Sequence, residues 1–148
     1  MGCSVRAGIF VGFSFDEVAK IVETKDEKYV TKYDKNTGKP YQKDISEVTK
    51  SLEVFGQKIE CDEDDFGYLG EVQYLIEDHF KSEGISATYE EDGDITDMMI
   101  GVYLVKTDDL MYGGGNYNIS LSEIEKTIEK LKKYGETPSV VLTTSVSC

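Results

Sequence analysis

The stretch M-M-I-G-V-Y-L-V, residues 98–105, is the longest apolar run in the chain and is rich in β-branched and aromatic side chains. The acidic segment E-E-D-G-D, residues 90–94, precedes it, and K-T-D-D, residues 106–109, follows it. A short apolar run between polar segments is typical of a strand buried on both faces. We therefore predict that residues 98–105 form a strand in the middle of a sheet rather than at its edge.

A second buried strand is predicted near the N-terminus. Residues 5–13 are mostly apolar, and an S-x-x-E capping box follows them at Ser14. The capping box predicts a helix from Ser14 to about Glu23. Its apolar face would contain Phe15, Val18, Ile21 and Val22.

The next part of the chain predicts a hairpin. Residues 28–33 alternate in polarity, residues 34–40 are turn-forming, and the return strand is expected to begin near Tyr41. Residues 44–59 fit both helical spacing and strand composition. We predict extended structure with a kink at Gly56.

A clearer helix is predicted over residues 66–83, with an apolar stripe that includes His79 and a stop at Gly84. Residues 85–89 and 96–105 predict an antiparallel hairpin.

The last elements are a helix and a strand. A second capping box at Ser120 opens a helix to about Lys133, with Leu121 on its buried face, and residues 140–142 predict a final strand. These elements predict an α+β fold. We expect a mixed, mainly antiparallel sheet of five or six strands with two or three helices packed on it, and a single domain over residues 1–148.

The composition is consistent with a cytoplasmic protein. The 148 residues are 39% hydrophobic, and no apolar run reaches the roughly 20 residues that cross a bilayer. No signal peptide is recognisable at the N-terminus. The three cysteines show no C-x-x-C pair and are expected to be reduced thiols. We expect no cofactor or metal, because neither acidic segment fits the calcium-binding EF-hand loop.

The net charge of −13 is concentrated in one third of the chain. Residues 60–110 contain 16 acidic and 2 basic residues, whereas the segments on either side are nearly neutral. Such a segment repels nucleic acid and anionic membranes and attracts basic partners. Two clusters supply the predicted partner-binding residues. The first acidic cluster is Asp62, Glu63, Asp64 and Asp65, and the second acidic cluster is Glu90, Glu91, Asp92 and Asp94.

These features predict a non-catalytic protein that binds, and inhibits, a basic partner through residues 60–97. Nucleic-acid-binding proteins are natural targets, because carboxylates spaced like phosphates can occupy their binding sites. Small acidic inhibitors from viruses or mobile elements are analogous proteins. No motif supplies a nucleophile with a base, and His79 is predicted to pack on its helix, so an enzyme is the less expected class.

The alternative is a nucleotide-binding or nucleotide-signal-binding protein. A strand, a glycine run and a helix N-terminus occur together at many phosphate sites, because backbone amides there face the anion. Neither G-K-[ST] nor G-x-G-x-x-G is present. If residues 5–13 and 98–105 ran parallel, Ser14 would lie at the same edge as the glycine run. The alternative ligand-binding residues are Ser14, Asp108, Tyr112, Gly113, Gly114, Gly115, Asn116, Tyr117 and Ser120.

The predicted hairpin has the opposite charge. Residues 28–43 contain five lysines, one aspartate and three tyrosines. Lysines beside aromatic side chains can follow a nucleic-acid strand. A solvated hairpin whose lysines prevent edge-to-edge pairing is the interpretation that we favour. A third interpretation is docking on the acidic region of another copy, in a homo-oligomer.

Overall fold

The computed structural model describes residues 4–106 and 119–147, and these contain nine strands and three α-helices. In chain order the elements are β1 (Ser4–Ser14), α1 (Phe15–Val18), β2 (Ala19–Asp26), β3 (Tyr29–Tyr33), β4 (Pro40–Asp44), β5 (Glu47–Val54), β6 (Gln57–Glu60), α2 (Leu69–His79), β7 (Ser86–Thr88), β8 (Met99–Lys106), α3 (Leu121–Leu131) and β9 (Ser139–Ser147). Three short 3-10 helices cover Glu63–Gly67, Lys81–Glu83 and Ile95–Asp97. None of the helices in the described ranges has the length and apolar character needed to cross a membrane.

Four strands form the central sheet in the order β7-β8-β1-β9, and each neighbouring pair is antiparallel. The run at residues 98–105 supplies β8, which lies between β7 and β1, so the predicted interior strand is confirmed. The predicted α+β class with a mainly antiparallel sheet is also confirmed. The strands are more numerous than predicted, and they divide among three sheets.

The main elements follow the order β1-α2-β7-β8-α3-β9, which is the split β-α-β connectivity of ferredoxin-like folds. Both long helices pack on the same face of the sheet, because one buried cluster contains Val72 and Ile76 of α2, Leu131 of α3, and Val11 and Ile100 of the sheet. Burying one such side chain stabilises the fold by about 1.5–3 kcal/mol. The strands β2 to β6 are an insertion between β1 and α2.

Glycines shape the opposite face of the central sheet. The Phe10 ring is fully buried there and packs edge-on against Tyr103, with 4.9 Å between the ring centroids. A side chain at Gly12 would lie 2.7 Å from the Phe10 ring, and one at Gly101 would lie 2.1 Å from the Val11 carbonyl oxygen. The close approach of the β1 and β8 backbones therefore requires glycine at Gly101.

Residues 19–54 form a long two-stranded ribbon, called the arm below. Strand β2 pairs with β5, and β3 pairs with β4. Asp26 lies opposite Glu47 and Tyr29 lies opposite Asp44, so the register continues unbroken from the first pair of strands to the second. The first half of the ribbon, residues 19–33, is about 50 Å long at roughly 3.3 Å per residue.

The arm is anchored only at its base. Leu52 and Val54 are fully buried in the main core, whereas every residue of β4 is exposed. The tight turn Phe55-Gly56 leads from β5 into β6, which adds a third strand at the base. The predictions of a hairpin at residues 28–43 and of extended structure over residues 44–59 are confirmed.

The predicted helix from Ser14 to Glu23 is wrong beyond Val18. The Ser14 hydroxyl donates to the Glu17 carboxylate at 3.0 Å instead of capping the helix, and the chain continues as β2. Ile21 lies directly opposite the buried Leu52, so β-branched side chains pair across the arm. This long-range pairing overrides the local capping signal.

The later helices are confirmed with corrections. The predicted helix over residues 66–83 is α-helical only in α2, with 3-10 turns on either side, and it ends at Gly84 with a φ of 70°. His79 is exposed rather than packed in the apolar stripe. Leu121 is 76% exposed, so its predicted place on the buried face of α3 is wrong.

Candidate partner-binding surface

The same local motif, D-x-x-D, opens a 3-10 helix in both acidic regions. In the first acidic cluster the Asp62 amide donates to Asp65 Oδ2 at 2.8 Å. At the end of the second acidic cluster the Asp94 amide donates to Asp97 Oδ2 at 3.0 Å. These hydrogen bonds fix the backbone, so part of the acidic content has a structural role in addition to its charge.

The first acidic cluster lies at the base of the arm beside basic residues. Asp62 and Asp65 border an open pocket of about 430 Å³ together with Lys50 and Lys58. Cys61 lines the same pocket, and burial raises the pKa of its thiol. The lysines reduce the negative potential here, so this cluster is the weaker half of the acidic surface.

The second acidic cluster borders a pocket of about 550 Å³, called the acidic pocket below. Among the described residues, its lining includes carboxylates and tyrosines and no basic side chain. Glu91 comes from the cluster, Tyr68 and Glu71 come from the start of α2, and Tyr89 follows β7. Tyr68 is 72% exposed, and both glutamates are exposed.

Hydrogen bonds between α2 and β7 hold the two walls of the acidic pocket together. The Gln73 side-chain amide donates to the Ala87 carbonyl at 2.7 Å, and the Ala87 amide donates to Glu77 Oε1 at 3.3 Å. A Cβ at Gly70 would lie 3.3 Å from the Tyr89 hydroxyl, so this glycine allows the tyrosine to approach the helix. The acidic pocket is therefore framed by a helix and a strand that are hydrogen-bonded to each other.

No known protein family, curated protein or solved structure matches this chain. Within residues 4–106 and 119–147, no three His, Cys, Asp or Glu side chains are grouped so as to hold a metal ion.

Carboxylates beside tyrosine rings suit arginine and lysine side chains. A carboxylate binds the cation through charge-assisted hydrogen bonds, and an aromatic face adds a cation–π contact. Among the side chains that the structure describes, the ion pairs join residues outside the segment 60–97, such as Lys20 with Glu53 and Lys132 with Glu129. The pocket carboxylates are thus available to a partner.

Three of the eight predicted partner-binding residues border the two pockets. Asp62 and Asp65 border the first pocket, and Glu91 borders the acidic pocket. Gly67, which ends the 3-10 helix of the first cluster, also lines the acidic pocket and so connects the two regions. The Glu63 side chain lies outside the described part of the chain. The remaining predicted acidic residues are exposed: Asp64, Glu90, Asp92 and Asp94.

The parallel pairing of residues 5–13 with 98–105, which the predicted crevice at Ser14 assumed, is wrong. Strands β1 and β8 are antiparallel, so Ser14 lies opposite Met99 at one end and Gly8 lies opposite Lys106 at the other. Ser120 caps α3, and its hydroxyl accepts from the Glu123 amide at 3.3 Å. The other alternative ligand-binding residues lie outside the described ranges: Asp108, Tyr112, Gly113, Gly114, Gly115, Asn116 and Tyr117.

Three residues of the acidic pocket are not among those predicted from the sequence: Tyr68, Glu71 and Tyr89. Their only local signal is position, because Tyr68 and Glu71 flank a predicted helix start and Tyr89 precedes the second acidic cluster. His79 is not placed in this site. Its ring nitrogen hydrogen-bonds to Gln57 Oε1 at 3.1 Å, beside the base of the arm.

Proposed function

We propose that this protein is a non-catalytic binding protein whose acidic pocket receives basic side chains of a protein partner. The rest of residues 60–97 would form the surrounding acidic surface. The observation that supports this function best is the presence of exposed carboxylates, Glu71 and Glu91, beside tyrosine rings in one pocket, with no basic side chain among its described lining residues. Such a pocket neutralises and covers an arginine or lysine at once.

A partner that itself binds nucleic acid fits this surface. Its arginine and lysine side chains are already arranged to meet a row of anionic groups. Occupation of that row by the acidic surface would exclude nucleic acid, so the proposed effect is inhibition. For the nucleotide-binding alternative, Ser120 caps α3, and the predicted ligand-binding residues from 108 to 117 lie outside the described ranges.

The test uses a fluorescently labelled arginine-rich peptide and two variants of equal charge. The pocket variant is Glu71→Gln, Glu91→Gln and Asp92→Asn. The control variant neutralises three exposed acids elsewhere, Asp16→Asn, Glu125→Gln and Glu136→Gln. If each exposed ion pair contributes roughly 0.2–1 kcal/mol, the pocket variant should bind about tenfold more weakly.

The control variant should lose no more than about twofold in affinity, because the general attraction between net charges is screened at physiological salt. Equal losses in the two variants would contradict a defined site. As a functional measurement, the wild-type chain should displace a DNA duplex from a basic DNA-binding protein, and the pocket variant should do so only at a higher concentration.

A further inference from the structure

The outer half of the arm presents large side chains to solvent. Tyr29 is 55% exposed, Tyr41 is 49% exposed and Ile45 is 42% exposed. A ribbon of two strands is at best marginally stable in water, since it has no second layer to cover its side chains. The outer half of the arm is therefore a surface that gains stability when a partner covers it.

The register sorts these side chains onto two faces. Val30 lies opposite Lys43, and Lys32 lies opposite Tyr41. Directly paired residues point to the same side of a ribbon, so these four side chains share one face, called the lysine face below. Among the described residues, Lys32 and Lys43 form no ion pair. The lysine face thus combines the charges of Lys32 and Lys43 with the apolar surfaces of Val30 and Tyr41.

The geometry is unfavourable for single-stranded nucleic acid. Single-stranded nucleic acid stacks successive bases on aromatic rings, but of the three tyrosines only Tyr41 shares the lysine face, because Tyr29 and Tyr33 lie on the opposite side. A hollow at the tip is bordered by Asp34 together with two lysines and two tyrosines: Lys32, Lys35, Tyr33 and Tyr41. The Asp34 carboxylate accepts a hydrogen bond from the Asn36 amide at 2.7 Å, and its charge offsets the attraction of the lysines for a phosphate.

The complementary surface on this chain is the acidic pocket, but the arm of the same copy cannot reach it. The arm is anchored at Leu52 and Val54, and the lysine face lies roughly ten residues beyond, about 33 Å along the ribbon. A continuous antiparallel ribbon does not fold back on its own base. The contact requires a second copy.

We infer that the lysine face of the arm docks in the acidic pocket of a second copy of this chain, an inference that rests on the proposed function of that pocket. Lys32 and Lys43 would meet the pocket glutamates, and Tyr41 would pack against the exposed Tyr68. Two copies that exchange arms reciprocally form a closed dimer, whereas a one-way exchange forms a ring or filament. A basic partner would compete with the arm for the same pocket.

The test measures the mass of the full chain in solution by sedimentation equilibrium at low and high salt. Wild type should associate, and more weakly at high salt. The arm variant Lys32→Glu, Lys43→Glu should associate at least tenfold more weakly. The control Lys126→Glu, Lys130→Glu reverses two exposed charges on α3 and should associate like wild type.

A charge-swap mixture makes the test specific. The charge-reversed variant Glu71→Lys, Glu91→Lys should not self-associate, but it should form a mixed dimer with the arm variant because both contacts are then complementary. A monomeric wild type, or a mixture that stays monomeric, overturns the inference.

Unchanged self-association of the arm variant, together with weaker binding to a labelled single-stranded oligonucleotide, would overturn the inference in favour of nucleic acid. The monomeric arm variant also separates this inference from the proposed function. It should still bind the arginine-rich peptide, since its acidic pocket is intact, so the two failures are distinguishable.

Discussion

Replacing Phe55 with asparagine sets the local preference of a turn against the packing that anchors the arm. Strands β5 and β6 are joined by Phe55-Gly56, with φ values of 52° and 76°. Two positive φ angles in a two-residue loop define the turn in which Asn-Gly is favoured. Phenylalanine at positive φ costs about 1 kcal/mol, so the local effect of Phe55→Asn is stabilising by about that amount.

Packing acts in the opposite direction. The Phe55 ring stacks on Tyr134 with centroids 4.3 Å apart, and it contacts the edges of Phe80 at 5.5 Å and Phe13 at 6.2 Å. Each aromatic pair contributes about 0.5–1.5 kcal/mol, and truncation of a buried phenylalanine costs about 3–5 kcal/mol. Because Phe55 is only half-buried, the lower figure applies. The net expectation for Phe55→Asn is a loss of about 2 kcal/mol.

Urea unfolding followed by circular dichroism measures this difference as a lower midpoint at constant slope. The control Phe55→Tyr keeps the ring and should remain within about 1 kcal/mol of wild type. An asparagine variant as stable as wild type, or more stable, would refute the account of how the arm is anchored.

Three further predictions concern pH, packing and thiol reactivity. Burial and the hydrogen bond to Glu83 raise the pKa of Tyr134 above its ordinary 10.0, so the folded state keeps the proton longer. The free energy of unfolding should not depend on this group below about pH 10 and should decrease above that pH. Urea midpoints measured as a function of pH should show a smaller decrease for Tyr134→Phe than for wild type. Gly101→Ala should destabilise the fold by about 3 kcal/mol or more, because the new Cβ would lie 2.1 Å from a backbone carbonyl oxygen. In the control Gly67→Ala the new Cβ has no neighbour within 4 Å, so thermal melts should show little change. Because burial raises the pKa of Cys61, its alkylation at pH 8 should be slower in the folded than in the urea-unfolded chain, and equal rates would contradict this.

The central sheet could be predicted from the sequence because its signals are local. The run at residues 98–105 is apolar on both faces, and only an interior strand buries both. The hairpin at residues 28–43 could also be predicted from local signals, because its turn residues directly follow a stretch of alternating polarity. The arm as a whole was missed. Residues 19–26 follow a capping box with helical spacing, and only their pairing with residues 47–54 shows that they are extended.

The candidate surface could be predicted in its charge but not in its geometry. The acidic residues are concentrated in residues 60–97, and this is visible without a structure. Which cluster faces lysines is not visible, because Lys50 and Lys58 lie beside the first cluster only once β5 and β6 form a hairpin at the Phe55-Gly56 turn. The tyrosines of the acidic pocket immediately precede α2 and follow β7, so their place in one pocket depends on the packing of that helix against the sheet.

The most direct test of the central claim, that the acidic pocket binds basic side chains, is a nuclear magnetic resonance titration of the full chain with the arginine-rich peptide. The arm variant is used so that self-association does not compete. We predict that the largest amide shift changes occur at residues 67–71 and 89–93, and that they are reversed by salt. Changes centred on residues 107–120, or spread evenly over all acidic residues, would contradict the account.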